Sequence, residues 1–446
     1  MSTKQQSTWT KTIVASMTSY IDAGSIVAGA AGLSLWEAYL GMGSVQLGML
    51  AAFSSNAISA ALGALIGGYI CDRFGRKLVY TYDLVFYMLG MLLIVFAVNF
   101  PMLFAGYCVV GLSVGADVVA SWTLIAENAP AKNRAKHCGS AQVAWALGPA
   151  VVLVMSVILG GLGLLGNRIV FAHLIVVALI TWILRLRMPE SDSWIANKEK
   201  EQELIAKGLW RKPRMRDLFI GPNLKGVMFL FGVYTIWNLC AGTMGFFLPY
   251  IYEKVGGVSN ATANALTVGL FLTSALSTLT LFMRLADRYS RRVIYCVVAC
   301  LFIAAWSIFL LPEQSLTMPL LVTFAILVGI NNGSGQQAFY QMWGSELFPA
   351  RYRASAQGVL FFSARVFLGF WSLCLPVITE SFGFKVAAIF LVAFATISML
   401  IGTIFNPNTA GKTLEQIEAE RYGSVGTSPL SVNEQTGEQP QEYMAT

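Results

Sequence analysis

The chain has 446 residues, of which 56% are hydrophobic and only 12% charged. A soluble domain carries roughly 25% charged residues, so a soluble enzyme of this length is excluded, as is a disordered chain. The formal charge of +7 could mark a nucleic-acid binder, but its placement along the chain argues otherwise.

A membrane-crossing helix needs about 20 mostly apolar residues. Twelve such segments are predicted near 12–33, 44–70, 78–98, 101–126, 137–161, 166–187, 224–251, 262–286, 292–312, 317–346, 354–378 and 385–406. The first is too long for a cleavable signal peptide and lacks a small-residue cleavage site. Met188–Asn223 turns polar and reads as a linker between two units, 1–187 and 224–406. Within it the cluster Trp210–Asp217 reads as solvated surface, with anionic lipid the alternative partner. Residues 407–446 form a polar tail in which Thr413–Tyr422 is a short helix and Ser424 onward is disordered.

With both termini placed in the cytoplasm, 26 of the 30 Lys and Arg fall on the cytoplasmic side. Arg168, Lys254 and Lys385 fall outside, and Arg365 lies within a helix. This is a positive-inside pattern, so the charge reports topology, and no nucleic-acid partner is expected. The seven cysteines are scattered without a CxxC pair, which argues against a disulfide framework. His137 and His173 are too far apart for a helical metal pair; no metal or cofactor is expected.

Two charged motifs recur. Asp72-Arg73-Phe74-Gly75-Arg76-Lys77 returns 215 residues later as Asp287-Arg288-Tyr289-Ser290-Arg291-Arg292. Glu127 to Arg134 returns 219 residues later as Glu346 to Arg353. The same order at nearly the same spacing implies a duplicated six-helix unit, the plan of carriers with a midplane site. The expected fold is therefore an all-α membrane protein of twelve transmembrane helices in two pseudo-symmetric six-helix bundles.

The motif Gly68-x-x-x-Asp72-Arg73-x-Gly75-Arg76-Lys77 resembles that of the major facilitator superfamily. Asp22-Ala-Gly24, Gly106-x4-Gly111-x3-Gly115, Pro189-Glu190-Ser191-x-x-Trp194 and Pro407-x-x-x-Gly411-Lys412-Thr413-Leu414-Glu415 are similar to signatures of its sugar-porter and metabolite:proton symporter branch. The resemblance implies that Asp72, Arg73, Arg76, Glu127 and Arg134, with Asp287, Arg288, Arg291, Glu346 and Arg353, form two cytoplasmic gates. Met283 and Ser290 replace motif glycines, which would weaken the second gate.

Ionisable residues at depth are costly and need a reason. Asp22 lies about 15 Å into the first segment at ~1.5 Å per residue. The resemblance makes it a proton-coupling carboxylate, but the arginine its relatives carry in the fourth segment is here Tyr107. Asp117, where the family has a small residue, is the second proton-coupling candidate. Arg365 stands where sugar porters place an aromatic. It either grips an anionic substrate, or pairs with Asp22 or Asp117 to replace the missing arginine, or forms a buried pair without a transport role. Gln142 matches the sugar-binding glutamine of the fifth segment. Trp237 and Asn238 stand near the glutamine pair of the seventh, and Gln337 and Gln341 fall in the tenth. These complete the substrate-contact candidates.

No Walker loop, HExxH or usable GxSxG occurs, so no enzyme is expected. A channel would need filter loops or charge rings, which are not found. The expected protein is a secondary carrier of a small polar solute (sugar, polyol, sugar acid or organic anion). Its expected mode is alternating access with proton symport, uniport or exchange being the alternative and a non-transporting receptor a further one. It should work as a monomer in the bacterial inner membrane, with the solute, H+ and the lipid bilayer as its partners.

Overall fold

The computed structural model describes residues 8–43, 45, 46, 49, 50, 53, 57–208 and 213–423. Among these the secondary structure is helical. The first half carries α1 (Thr8–Leu40), α2 (Ile58–Phe74), α3 (Arg76–Val95), α4 (Phe100–Asn128), α5 (Arg134–Ile158) and α6 (Leu164–Arg185). The connector holds α7 (Asp192–Ala206), capped by the Ser191 hydroxyl, which accepts from the Trp194 amide.

The second half begins with α8, which runs as Gly221–Leu230, a π-helical turn Phe231–Thr235 and Ile236–Lys254. α9 runs as Asn260–Ser277, a π-helical turn Thr278–Phe282 and Met283–Leu285. Then follow α10 (Arg291–Ser307), α11 (Met318–Ser334), α12 (Gln336–Glu346), α13 (Arg353–Phe382), α14 (Phe384–Ile404) and the tail helix α15 (Leu414–Tyr422). Thr413 and Gln416 close α15 with a reciprocal capping box. Eleven helices among the described residues are long and apolar enough to cross a membrane. Of the second predicted segment, α2 is the described helix, and part of 44–56 lies outside the described residues. The tail from Ser424 and residues 209–212 of the linker, which include the start of the Trp210–Asp217 cluster, lie outside them too.

The tenth predicted segment is broken. α11 ends at Ser334, Gly335 takes φ −100° and ψ −141°, and α12 starts anew at Gln336. A Cβ on Gly335 would sit 2.5 Å from the Asn331 carbonyl oxygen and side-chain nitrogen, so the break requires glycine. Hydropathy averages over such a break and reads one continuous span.

The halves meet along α2 against α13 and α5 against α9. Both approaches depend on a glycine facing a neighbour. A Cβ on Gly68 would lie 2.5 Å from the Ala354 carbonyl oxygen. In the second pair the glycine has changed sides: a Cβ on Gly139 of α5 would meet the Met283 side chain at 2.5 Å. Met283 is accommodated because its partner helix carries a glycine where the two meet.

At one end, the recurring charges form two matching clusters. In the first, Asp72 caps α13 by accepting from the Ala354 and Ser355 amides at 3.2 and 2.7 Å. Glu127 lies between Arg76 of its own half and Arg353 of the other, at 3.0 and 2.6 Å. In the second, Asp287 caps α5 by accepting from the Ala135 and Lys136 amides at 3.0 and 3.1 Å. Glu346 lies between Arg291 of its own half and Arg134 of the other, at 3.0 and 2.9 Å. Each cluster balances two carboxylates with two guanidinium groups, and the four arginines are at most 3% exposed. Ser290 keeps an ordinary φ of −59°, whereas its counterpart Gly75 sits at +104°, where a Cβ would also strike the Glu190 carboxylate. Burial raises the Asp287 carboxyl above its usual range, against the opposing pull of the two amides and Arg291.

Arg73 and Arg288 depart from the expectation. Both are exposed; Arg73 donates to the Tyr69 hydroxyl at 2.8 Å and lies over the Phe74 ring, and neither bridges the halves among the described residues. They follow the capping aspartate directly, and the helix turn points them away from the seam.

The connector and the tail close over the clusters. Glu190 accepts from the Arg76 and Lys77 amides, Ser191 donates to Glu127, and the Trp194 indole donates to the Asp72 carbonyl. On the other side Arg134 donates to the Lys412 carbonyl and Arg291 to the Thr409 hydroxyl.

Removing one partner of a buried ion cluster leaves an uncompensated charge and costs about 3–5 kcal/mol. Glu127→Gln is expected to lower the thermal midpoint of the purified protein sharply. Arg73→Gln, an exposed site, should stay within about 0.5 kcal/mol of wild type. Equal midpoints for the two variants would contradict the clusters. Gly68→Val should cost about 1–3 kcal/mol through overpacking against α13, read in the same melts.

Candidate functional site

At mid-depth between the halves lies a second set of polar residues. Asp22 on α1 is 1% exposed and neighbours the Trp145 indole of α5. Its Oδ1 has no hydrogen-bond partner among the described residues. Arg365 on α13, 7% exposed, reaches Asp22 electrostatically and lies over the Phe361 ring at 4.7 Å. Two further aromatics share this field: Tyr234 in the π turn of α8 feels both Asp22 and Arg365, and Tyr340 of α12 feels Arg365. The two phenol rings stack at 3.8 Å with 6° between their planes. Trp122 of α4 meets both Tyr340 and Phe361 edge-on at 6.1 Å, and its indole donates to the Ser19 hydroxyl.

Beside this centre the break at Gly335 supplies amides. Gln142 of α5 donates to the Asn332 carbonyl at 2.7 Å and accepts from Gln341 at 3.2 Å, so the two glutamines link the halves. Gln357 on α13 donates to Thr123 on α4 and to Ser345. Gln341 Oε1, Asn332 Oδ1, Gln357 Oε1 and Asn238 Oδ1 are buried without a hydrogen-bond partner among the described residues. Buried polar atoms are nearly always paired, so these acceptors retain capacity for further donors. Gln337 is buried in the first turn of α12, where backbone amides lack intrahelical partners.

The structure therefore brings Asp22, Arg365, Gln142 and Gln341 to the centre. Trp237 differs from the expectation: it is fully buried and its indole donates to Asn331 Oδ1 at 2.9 Å, inside the second half. Asn331 in turn donates to the Gln336 side chain, so these two amides hold the broken helix together.

Asp117 also departs. It accepts from Arg185 at 2.7 Å, from Thr18 at 2.8 Å and from Ser121 at 2.8 Å. Its arginine is thus Arg185 at the end of α6, and the alternative pairing of Asp117 with Arg365 is set aside. Arg185 is 1% exposed, so it belongs to the interior of the first half and not to the basic linker. It falls in the last turn of the predicted segment 166–187, beside Arg187, where in sequence it reads as one more cytoplasmic-side charge. Tyr234 and Gln357 were not singled out by sequence; a phenol in an apolar run and an amide near a helix start carry no distinctive local pattern.

Comparison with known proteins places this architecture. The family description "Major Facilitator Superfamily" matches residues 12–372 and 243–434. A relative described as the minor myo-inositol transporter IolF of Bacillus subtilis is 55% identical over 415 residues, covering 93% of this chain and 94% of that one. The cis,cis-muconate transport protein of Acinetobacter baylyi is 28% identical over 341 residues, covering 72% and 76%. Among solved structures, the proton:xylose symporter XylE bound to 6-bromo-6-deoxy-D-glucose superimposes with a TM-score of 0.80 at 19% identity, covering 93% of this chain and 99% of that one. The human organic anion transporter MFSD10 gives a TM-score of 0.70 at 13% identity, covering 89% and 100%. The helical layout, the charged motifs and these matches agree: the chain is a multi-pass membrane transporter, not an enzyme, and it belongs to the Major Facilitator Superfamily.

Proposed function

We propose that this protein is a proton-coupled carrier of a small neutral polyol, of the inositol or sugar class, working as a monomer by alternating access in the bacterial inner membrane. Twelve spans, 1–187 and 224–406 as the two rocking bundles joined by 188–223, and both termini in the cytoplasm belong to this reading. The observation that carries it is that Arg365 reaches Asp22 electrostatically at the centre, amid amide oxygens without a hydrogen-bond partner among the described residues. The carboxylate already answers the guanidinium charge, so the remaining recognition is by hydrogen bonds, which suits hydroxyl groups. The 55% identity to a myo-inositol transporter supports the same class.

The charged clusters are gates in this reading. With both formed, the cytoplasmic end is shut. Opening must pull Arg353 from Glu127 and Arg134 from Glu346, while each carboxylate keeps the arginine of its own half. That retained partner limits the charge left bare when the bundles part. Asp22 takes a proton when the site faces outward; neutralising it frees Arg365 and loosens the pair that spans α1 and α13. An anionic solute is the second reading, favoured by the muconate relative and by the amide-rich start of α12.

Two outcomes are expected. Asp22→Asn should abolish uphill uptake of labelled myo-inositol into proteoliposomes under a proton gradient, yet keep counterflow. Undiminished accumulation would sink the coupling role. In wild type, inositol and xylose should compete with the labelled solute, whereas sugar acids should not. The reverse order would move the assignment to the anionic reading, with Arg365 as the anion grip. Binding without counterflow would indicate a receptor.

A further inference from the structure

Among the described residues the buried charge groups are balanced, with one exception. Each gate cluster holds two carboxylates and two guanidinium groups, and Asp22 faces Arg365. The interior of the first half, however, sets Asp83 of α3 and Asp117 of α4 against Arg185 alone. All three residues are at most 6% exposed. With both carboxylates ionised, one uncompensated negative charge would sit in a low-dielectric interior, which is strongly unfavourable.

The hydrogen bonds distinguish the two carboxyls. Asp117 is fully served: Arg185 and Ser121 donate to Oδ1, and Thr18 donates to Oδ2. Arg185 makes further contacts with Thr18, Ser121 and the ring of Tyr80. Asp83 is served on one side only. Its Oδ1 accepts from the Leu84 amide at 2.6 Å. Its Oδ2 is 3.9 Å from Arg185, too long for a hydrogen bond, and has no donor among the described residues. Its side-chain neighbour is the Asp117 carboxylate, another acceptor: Arg185 Nη1 lies 2.7 Å from Asp117 Oδ1 and 3.9 Å from Asp83 Oδ2. The small cavity between them, lined by Thr18, Ile21, Tyr87, Ser113 and Val114, leaves no room for a water to supply the missing donor.

We propose that Asp83 carries a bound proton on Oδ2, shared with Asp117, so that the Asp83–Asp117–Arg185 group is a neutral, resident proton site separate from Asp22. The proton supplies the missing donor and removes the excess charge. Other titratable groups facing the site are Asp22 on α1, Cys71 on α2, and Tyr80 and Tyr87 on α3; none of them donates to Asp83 Oδ2 among the described residues. The site ties α1, α3, α4 and α6 together, and Thr18 stands one helical turn from Asp22. Losing the proton would unbalance the bundle that carries the coupling carboxylate.

The test uses the full chain, purified and reconstituted in nanodiscs, with infrared absorption of protonated carboxyl groups at neutral pH. In Asp22→Asn, which removes any signal from Asp22, a buried protonated-carboxyl band should remain. Adding Asp83→Asn should abolish it, because the amide takes the place of the protonated acid. A band that survives Asp83→Asn, or one already missing in Asp22→Asn, overturns the proposal. Thermal melts give a second readout. The Asp22→Asn protein should lose stability as pH rises and the shared proton leaves. Asp22→Asn with Asp83→Asn, which keeps a permanent donor, should lack that step; parallel pH profiles would overturn the proposal. If that double variant fails to fold, Asp83→Leu in the same background serves for both measurements. Stabilisation by added sodium in place of protons would assign the site to a metal cation and also overturn it. No transport is measured, so the result stands apart from the carrier assignment.

Discussion

Everything at one end of this molecule rests on two buried glutamates, each held between an arginine of its own half and an arginine of the other. A carboxylate taken out of water needs excellent geometry around it to be tolerated. Here the fold provides that geometry twice, by giving each helix start at the seam a capping aspartate from across the interface. The two effects support each other. The caps fix the helix starts of α5 and α13, and those starts carry Arg134 and Arg353 into place. The connector and the tail then occupy the remaining bonding capacity of the clusters.

The centre follows a different rule. There the charges are few, the aromatic rings many, and several amide oxygens are left without donors. The contrast has a physical basis. In the proposed reading, a gate is satisfied when shut, so its groups complete one another, whereas a binding site keeps hydrogen-bonding capacity for its solute. Gly335 serves the second requirement, since breaking the helix exposes backbone and side-chain amides at a depth where a continuous helix offers none.

How far the sequence revealed this depended on the kind of signal. Spans and charged motifs were readable because composition and repetition are one-dimensional properties: 72 against 287, and 127 against 346, can be seen without coordinates. Asp22 and Arg365 stood out because charge is conspicuous in apolar surroundings. Three features were not readable. The break at Gly335 lies within a glycine-rich run whose average hydropathy hides it. Arg185 sits at a boundary where a terminal charge and an interior charge look alike. Trp237 shows the opposite error, since proximity in sequence to a binding motif did not place its indole in the site. Met283, at the position that corresponds to Gly68 in the second half, could not be interpreted alone, because the glycine that accommodates it, Gly139, lies on another helix.

The exchange of arginines between halves has a consequence for how such a chain can change over time. Each half carries its own glutamate, but completes its partner's cluster with Arg134 or Arg353. Neither half contains a finished lock. A drift in charge on one side is therefore exposed at once by the other, and a tolerated change must arrive as a matched pair spanning about half the chain. Duplication of a single ancestral unit delivers such matched pairs from the outset. The reciprocity of the two clusters thus also acts as an inheritance constraint, keeping two diverging sequences answerable to one another.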